Sequence, residues 1–306
     1  MTRSAWVTAS APAKINLHLG VGPVRPDGFH PLATVYQAID LLDEVTVRPA
    51  ASYEVTMTGD SRLVLDDVPL NGDNIAVRAA VLLAERYGVD EAVAVHIDKR
   101  IPVAGGLAGG SADAAAALVA CDALWQLGVP REELLVVAAE LGSDVPFALV
   151  GGTALGTGRG EAVVPAMVLG EYWWVVVESS VGLSTPAVYR EFDVLHTDQV
   201  VSEPVMPEAL MEALRSHDVE KLGLSLRNDL EEAAVALRPE LDVVLTGGIA
   251  ATALGAMLSG SGPSCLFLCS GRQHAAQVSA ELAGTGLGPV SLARGPVPGA
   301  RVERLG

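Results

Sequence analysis

An α+β protein of two domains is the architecture this sequence predicts, and three observations carry the expectation. The chain of 306 residues is long enough for two ordinary domains, although one large one also fits that length. Half of the residues are hydrophobic and 19% are charged, which supplies enough apolar side chain for a sizeable core. Strand and helix signals stand in neighbouring clusters instead of alternating regularly, and this favours mixed layers over a parallel, doubly wound sheet. Aromatics make up only 4%, so the core has to be built from Ala, Val and Leu, and the 32 glycines point to sharp turns or close approaches to a ligand.

Taken in order, Trp6–Gly22, Asp43–Arg48 and Tyr53–Thr58 carry β-type patterns rich in Val, Thr and Ile. The span Asn74–Tyr87 reads as a helix capped by Asp73 or Asn74, with Ile75, Ala79, Leu82 and Leu83 on one face. Ala92–Ile97 alternates like a strand. A glycine-rich run then opens into an alanine-rich helix from about Ser111 to Leu127, and a second helix, Arg131–Leu141, stops at Gly142. Beyond it strands are expected at Thr153–Leu155, Glu161–Val164 and Tyr172–Val177. Helices follow near Pro186–Phe192, Pro207–Ser216, Val219–Ser225 and Asp229–Leu237. The end reads as a buried helix, a glycine turn, the strand Cys265–Cys269, a helix near Gln273–Ala283 and a final strand. No solenoid repeat is present. The glycines at Gly156–Gly160 suggest a division into domains of residues 1–158 and 159–306.

A net charge of −17 repels phosphate backbones and anionic lipid, so neither nucleic acid nor a membrane is an expected partner. The same charge obliges any nucleotide site to focus positive potential locally, through backbone N–H groups, a few basic side chains and a metal. The three cysteines, Cys121, Cys265 and Cys269, form no disulfide framework or zinc pattern and read as buried thiols in a reducing compartment. Met1 to Asn16 has no apolar core of a signal peptide, which also points to the cytoplasm. From Val243 to Gly271 no residue is charged, a length that can in principle span a bilayer. Thr246, Gly247, Gly248 and the run Ser259–Pro263 interrupt it with polar, turn-forming groups, so a buried helix, turn and strand are expected instead.

The glycine run is the strongest chemical feature. It comprises Pro102, Val103, Ala104, Gly105, Gly106, Leu107, Ala108, Gly109, Gly110, Ser111 and Ala112, and it leads straight into a helix. Small residues let successive N–H groups converge, and a helix N-terminus adds partial positive charge, which together suit a polyphosphate. A flexible turn before an amphipathic helix explains the composition equally well. There is no Gly-Lys pair for a Walker A loop, no G-x-G-x-x-G, and neither protein-kinase signature.

Three segments in order resemble the GHMP kinases, named for galactose, homoserine, mevalonate and phosphomevalonate. They are Pro12–Leu17, the glycine run through Asp113, and Leu258–Cys265. Arg25-Pro26-Asp27-Gly28-Phe29-His30-Pro31-Leu32, with Gln37 and Asp40 after it, and Gly142–Phe147 resemble the branch of that family whose acceptor is a methylerythritol carrying a cytidine diphosphate. The resemblance implies a two-domain GHMP fold with its site in the cleft, the glycine run as ATP phosphate loop, and transfer of the γ-phosphate to the methylerythritol 2-hydroxyl. Magnesium is implied with ATP.

Carried over by position, Lys14 and Asp144 match the catalytic pair. A carboxylate can take or orient the proton of the alcohol, and an ammonium can offset charge on the transferred group. Asp144 as a turn or cap residue and Lys14 as a surface charge are the ordinary alternatives. Asn16 shares the Lys14 face of a strand and can meet substrate. Phe29 and His30 match the cytosine-binding pair, and Thr185 and Tyr189 match a segment that supplies a second aromatic to the base. The remaining histidines, His18, His96, His196, His217 and His274, show no metal spacing, so no protein metal site is expected. Asn228–Glu231 reads as a helix cap. Ala104 and Ala108 stand where the family has glycine, and Ala112 where it often has a second serine. Two other readings stay open here: a GHMP kinase for a homoserine- or mevalonate-type alcohol, and a non-catalytic nucleotide-binding regulator.

Overall fold

The computed structural model describes residues 5–306 apart from Val64, Asp67, Ala104 and Ser180. Ala104 of the glycine run therefore lies outside the described residues. The elements run β1 (Val7–Val21), β2 (Leu32–Ala50), β3 (Glu54–Gly59), α1 (Ile75–Tyr87), β4 (Ala92–Lys99), α2 (Gly109–Trp125), α3 (Arg131–Leu141), α4 (Val145–Val150), β5 (Thr153–Thr157) and β6 (Ala162–Pro165). Next come β7 (Tyr172–Val177), α5 (Thr185–Leu195), α6 (Glu208–Ser216), α7 (Val219–Ser225), β8 (Arg227–Asn228), α8 (Glu231–Leu237) and α9 (Glu240–Ala250). The chain closes with β9 (Gly255–Leu258), β10 (Cys265–Cys269), α10 (Arg272–Thr285), β11 (Val290–Gly295) and β12 (Arg301–Leu305).

Two sheets organise these elements. The first has the order β12-β1-β2-β4-β3, with β5 added to β2, β6 to β5 and β8 to β1; the second has the order β11-β7-β10-β9. Strand β1 shows why its sequence is built as it is. Val7, Ala9, Ala11, Ala13, Ile15 and Leu17 alternate with Thr8, Ser10, Lys14, Asn16 and His18, so one face is apolar and the other polar, yet both are buried. Helix α2 is buried nearly all round, and its alanines (Ala112, Ala114, Ala115, Ala116, Ala117 and Ala120) let it lie close against β1, β2 and α1. A second core gathers β7, β10, α5, α8, α9 and α10 around Val175, Phe192, Phe267 and Val278.

Contacts from β2 help to join the sheets. Trp174 on β7 donates its Nε1–H to Gln37 Oε1 on β2 at 3.0 Å, and Asp40 on β2 accepts from the Arg294 backbone N–H (2.7 Å) and Nε (3.0 Å) on β11. Gln37 and Asp40 are thus spent on architecture. Strand pairing also crosses the expected division between residues 158 and 159, since β6 pairs with β5 and β12 returns to pair with β1.

Several elements differ from expectation. Strand β2 starts at Leu32, well before Asp43, because Gln37 and Asp40 hide an alternation that only their partners in the second sheet explain. The short α4 and β9 were not anticipated, and the expected final strand is two strands that join different sheets. The uncharged stretch contains the expected helix, turn and strand with β9 added between helix and turn, and no helix among the described residues is long and apolar enough to cross a membrane. All three cysteines are buried and unpaired.

Candidate active site

Three segments far apart in sequence are sewn together at the centre of the molecule. The backbone N–H of Lys14 donates to Leu107 O at 3.0 Å, tying β1 to the glycine loop. Ser259 Oγ donates to Gly106 O at 2.9 Å, and the Ser264 N–H donates to Gly105 O at 3.2 Å, tying that loop to the second glycine turn. Asn228 donates Nδ2–H to Leu258 O (3.0 Å) and Gly260 O (2.7 Å), so this residue clamps the second glycine turn. The helix-cap expectation holds in part: Asn228 Oδ1 accepts the Leu230 N–H at 3.0 Å just ahead of α8, while its Nδ2 is committed to the glycine turn.

Lys14 emerges beside this seam. Its side chain is almost buried, its Nζ stands 3.4 Å from Asp144 Oδ1, and it lies 4.8 Å above the Tyr36 ring. The ammonium separation is wider than the roughly 2.7–2.9 Å of a tight charge-assisted bond, so the pair is associated without being closed. Asp144 immediately precedes α4, but its side chain makes no cap bond there, which leaves the carboxylate facing the cleft. Burial pushes the Tyr36 phenol well above its usual range, so the ring beneath Lys14 stays neutral.

The glycine loop lines the same cleft, a space of roughly 1080 Å³, through Pro102, Val103, Gly105, Gly106, Ala108, Gly109 and Gly110. Leu107 and Ala112 turn their side chains into the core, and half-buried Ser111 sits in the first turn of α2 outside the lining. Ala108 is the residue before α2 and takes φ 57°, a left-handed conformation that its methyl group opposes. We expect Ala108→Gly to stabilise the fold by about 1 kcal/mol, the relieved strain exceeding the added backbone entropy. A rise in the urea midpoint measures it, and a fall would show that the methyl is packed favourably. Behind the loop, Lys99 Nζ donates to Asp113 at 2.8 Å and also to Asp43, all three buried. Burial pushes the Asp113 carboxyl well above its usual range against the pull of Lys99.

The remaining expected residues open onto this cleft as well: Asn16, Phe29, His30, Thr185 and Tyr189. Asn16 donates to Thr34 Oγ1 at 2.8 Å, while its Oδ1 is buried without a partner. Arg25, Asp27 and Gly28 shape the loop that presents Phe29. Asp27 accepts from the Phe29 N–H at 3.1 Å and from Arg25, and Gly28 takes φ 81°. Phe29 lies under the Arg159 guanidinium at 4.8 Å, while Tyr189 stacks on His30 with centroids 5.2 Å apart. Thr185 shares a 2.8 Å hydrogen bond with Ser261 of the second glycine turn.

The profile of the GHMP kinases N terminal domain matches residues 74–152, and that of the GHMP kinases C terminal domain matches residues 210–288. The chain belongs to the GHMP kinase family. It is 56% identical to a 4-diphosphocytidyl-2-C-methyl-D-erythritol kinase of Nocardioides sp., over 95% of this chain and 98% of that one. It is 51% identical to the protein of the same name from Thermobifida fusca, over 99% of this chain and all of the other. A crystal structure of 4-(cytidine 5'-diphospho)-2C-methyl-D-erythritol kinase superposes with a TM-score of 0.76 at 33% identity, covering 94% of this chain and 98% of that one. Homoserine kinase from Cytophaga hutchinsonii has the same fold, with a TM-score of 0.77 at 20% identity over 99% of each chain.

This GHMP kinase is therefore an ATP-dependent small-molecule kinase, and its cleft contains residues that sequence reasoning passed over. Tyr36, Arg159, Arg190 and Asp193 all line it. Asp193 carried a usable signal, since Thr185, Tyr189 and Asp193 stand at successive i, i+4 positions on one face of α5. Tyr36 and Arg159 carried none, because only sheet pairing and the turn after β5 bring them in.

Proposed function

We propose that this GHMP kinase transfers the γ-phosphate of ATP to the 2-hydroxyl of 4-diphosphocytidyl-2-C-methyl-D-erythritol, a step of the non-mevalonate route to isoprenoid precursors. One observation carries the reading: a single cleft holds the phosphate loop, the Lys14–Asp144 pair, and the aromatic groups Phe29, His30 and Tyr189 at once. A kinase for a smaller acceptor such as homoserine has no need of the aromatic part. The relatives' names agree with the cytidyl acceptor.

In this mechanism the backbone N–H groups of the loop and the N-terminus of α2 receive the triphosphate. Asp144 accepts the proton of the acceptor hydroxyl as its oxygen bonds to the γ-phosphorus; the bond to the β-phosphate oxygen breaks and ADP leaves. Lys14, with its Nζ 3.4 Å from Asp144 Oδ1, orients that carboxylate and balances charge on the equatorial phosphoryl oxygens. Magnesium, bound with ATP, would supply counter-charge that lowers repulsion among the phosphates. We place the enzyme in the cytoplasm, acting on small molecules and not on nucleic acid, on the strength of its three free thiols and its charge of −17.

The test is phosphoryl transfer from Mg-ATP to the cytidyl substrate, run beside homoserine and mevalonate. Turnover of the cytidyl substrate alone supports the proposal; turnover of either other alcohol in its place overturns it. Within that assay Tyr189→Ala is expected to raise the cytidyl substrate KM by about tenfold, since a base–aromatic stack is worth about 1–3 kcal/mol. An unchanged KM would remove Tyr189 from the base site.

A further inference from the structure

The segment Asn228-Asp229-Leu230-Glu231 directs its polar side chains at backbone groups of two distant elements. Asp229 Oδ2 accepts the Val21 N–H at 3.0 Å, and the Asp229 N–H donates to Leu19 O at 2.9 Å, which fastens the segment to the end of β1. Facing the other way, Asn228 Nδ2 donates to Leu258 O at 3.0 Å and to Gly260 O at 2.7 Å, while Glu231 Oε2 accepts the Leu258 N–H at 2.9 Å. Leu258 is completely buried and Asn228 nearly so. The segment therefore buckles the strand that carries Lys14 and Asn16 to the second glycine turn.

That turn is a wall between the two halves of the cleft, which it lines through Gly260 and Ser261. A methyl built on Gly260 would lie 3.5 Å from Asn16 Oδ1 on one side and 3.5 Å from Gly106 O on the other. Ser259 Oγ donates to Gly106 O at 2.9 Å and the Ser264 N–H to Gly105 O at 3.2 Å, so the place of the turn decides where the loop stands. The Asn228 amide suits the work of holding it. Both hydrogens of Nδ2 go to carbonyls and Oδ1 takes the Leu230 N–H at 3.0 Å, a set of partners that admits one orientation of the group. We propose that Asn228, with Glu231, is a positioning residue for the nucleotide: it fixes the second glycine turn, and through that turn the phosphate loop, so that ATP affinity depends on an amide that stands behind the cleft wall. The inference rests on the reading of the glycine run as the loop that receives the triphosphate, and it is independent of which alcohol is the acceptor.

The test is calorimetric titration of Mg-ATP into the wild type, Asn228→Asp, Glu231→Leu, Glu231→Gln and Gly106→Ala. Asp keeps the shape of Asn228 but turns an oxygen toward two carbonyl oxygens, so the turn has to shift. Small displacements of groups that orient a ligand are costly, and Asn228→Asp is expected to raise the Kd for ATP by about tenfold or more. Glu231→Leu removes the acceptor of the Leu258 N–H and is expected to raise that Kd by about threefold to tenfold, the size of one hydrogen bond. Glu231→Gln restores an oxygen for the same N–H and is expected to recover most of the loss. This pair decides the matter if Asn228→Asp does not fold. A residue that merely stabilises the fold would lower the fraction of sites titrated and leave their Kd alone. An unchanged Kd in Asn228→Asp or in Glu231→Leu, or a Glu231→Gln no better than Glu231→Leu, overturns the positioning role while Gly106→Ala still weakens binding. If Gly106→Ala also binds ATP as the wild type does, the phosphate-loop reading itself falls, and the inference with it.

Discussion

Asp144→Asn is expected to lower kcat for phosphoryl transfer by about 10²–10⁴-fold, the range that a positioned general base contributes. The amide keeps the shape of the side chain and the φ, ψ values of the residue before α4, where the carboxylate makes no cap bond, so folding should be little affected. What changes is proton affinity: an amide oxygen cannot take the proton of the attacking alcohol. Lys14 then faces a neutral group across 3.4 Å and keeps only its contact with the Tyr36 ring. Single-turnover kinetics with saturating ATP and substrate read the effect directly. A kcat within threefold of wild type would show that Asp144 only positions the acceptor and that the hydroxyl loses its proton elsewhere.

Gly106→Ala is expected to be the most damaging single methyl in the phosphate loop. Its new Cβ would stand 2.2 Å from Ser259 O and 2.9 Å from Gly262 O, both backbone atoms of the second glycine turn, and φ is +77°. The loop has to move away from that turn, breaking the Ser259 Oγ to Gly106 O bond and shifting the N–H groups proposed to receive the triphosphate. We expect a loss of about 3 kcal/mol or more of stability, together with ATP binding weakened by tenfold or more. Gly128→Ala is the control: φ is +63° but nothing lies within 4 Å of the added methyl, so the cost is about 1 kcal/mol of backbone strain alone. Urea unfolding and calorimetric ATP titration separate the two effects. If Gly106→Ala behaves like Gly128→Ala, the contact between the glycine segments is dispensable.

Much of the site was legible because its residues carry local reasons. The Arg25–His30 loop is closed by Asp27 on Arg25 and on the Phe29 N–H, contacts that span few residues and leave a recognisable motif. The loop before α2 is readable for the same reason, as small residues followed by an alanine-rich helix. Gln37 and Asp40 were visible as part of the same motif, but their work was not, because Trp174 and Arg294 come from the other sheet. Asn228 likewise reads as a local cap, and its Oδ1 does accept the Leu230 N–H, but nothing nearby in sequence shows that its Nδ2 also reaches Gly260.

By itself the sequence determined the α+β class, most element positions, the acidic surface and the two glycine segments, all properties set by composition and by periods of two or 3.6 residues. Tertiary structure alone decided that Lys14 meets Asp144, that Tyr36 lies beneath the ammonium, that β12 returns to β1, and that His30 and Asp193 face one another. Each of these joins residues far apart in the chain through the crossing of strands and helices. Periodicity says which face a residue occupies; only the packed fold says what that face meets.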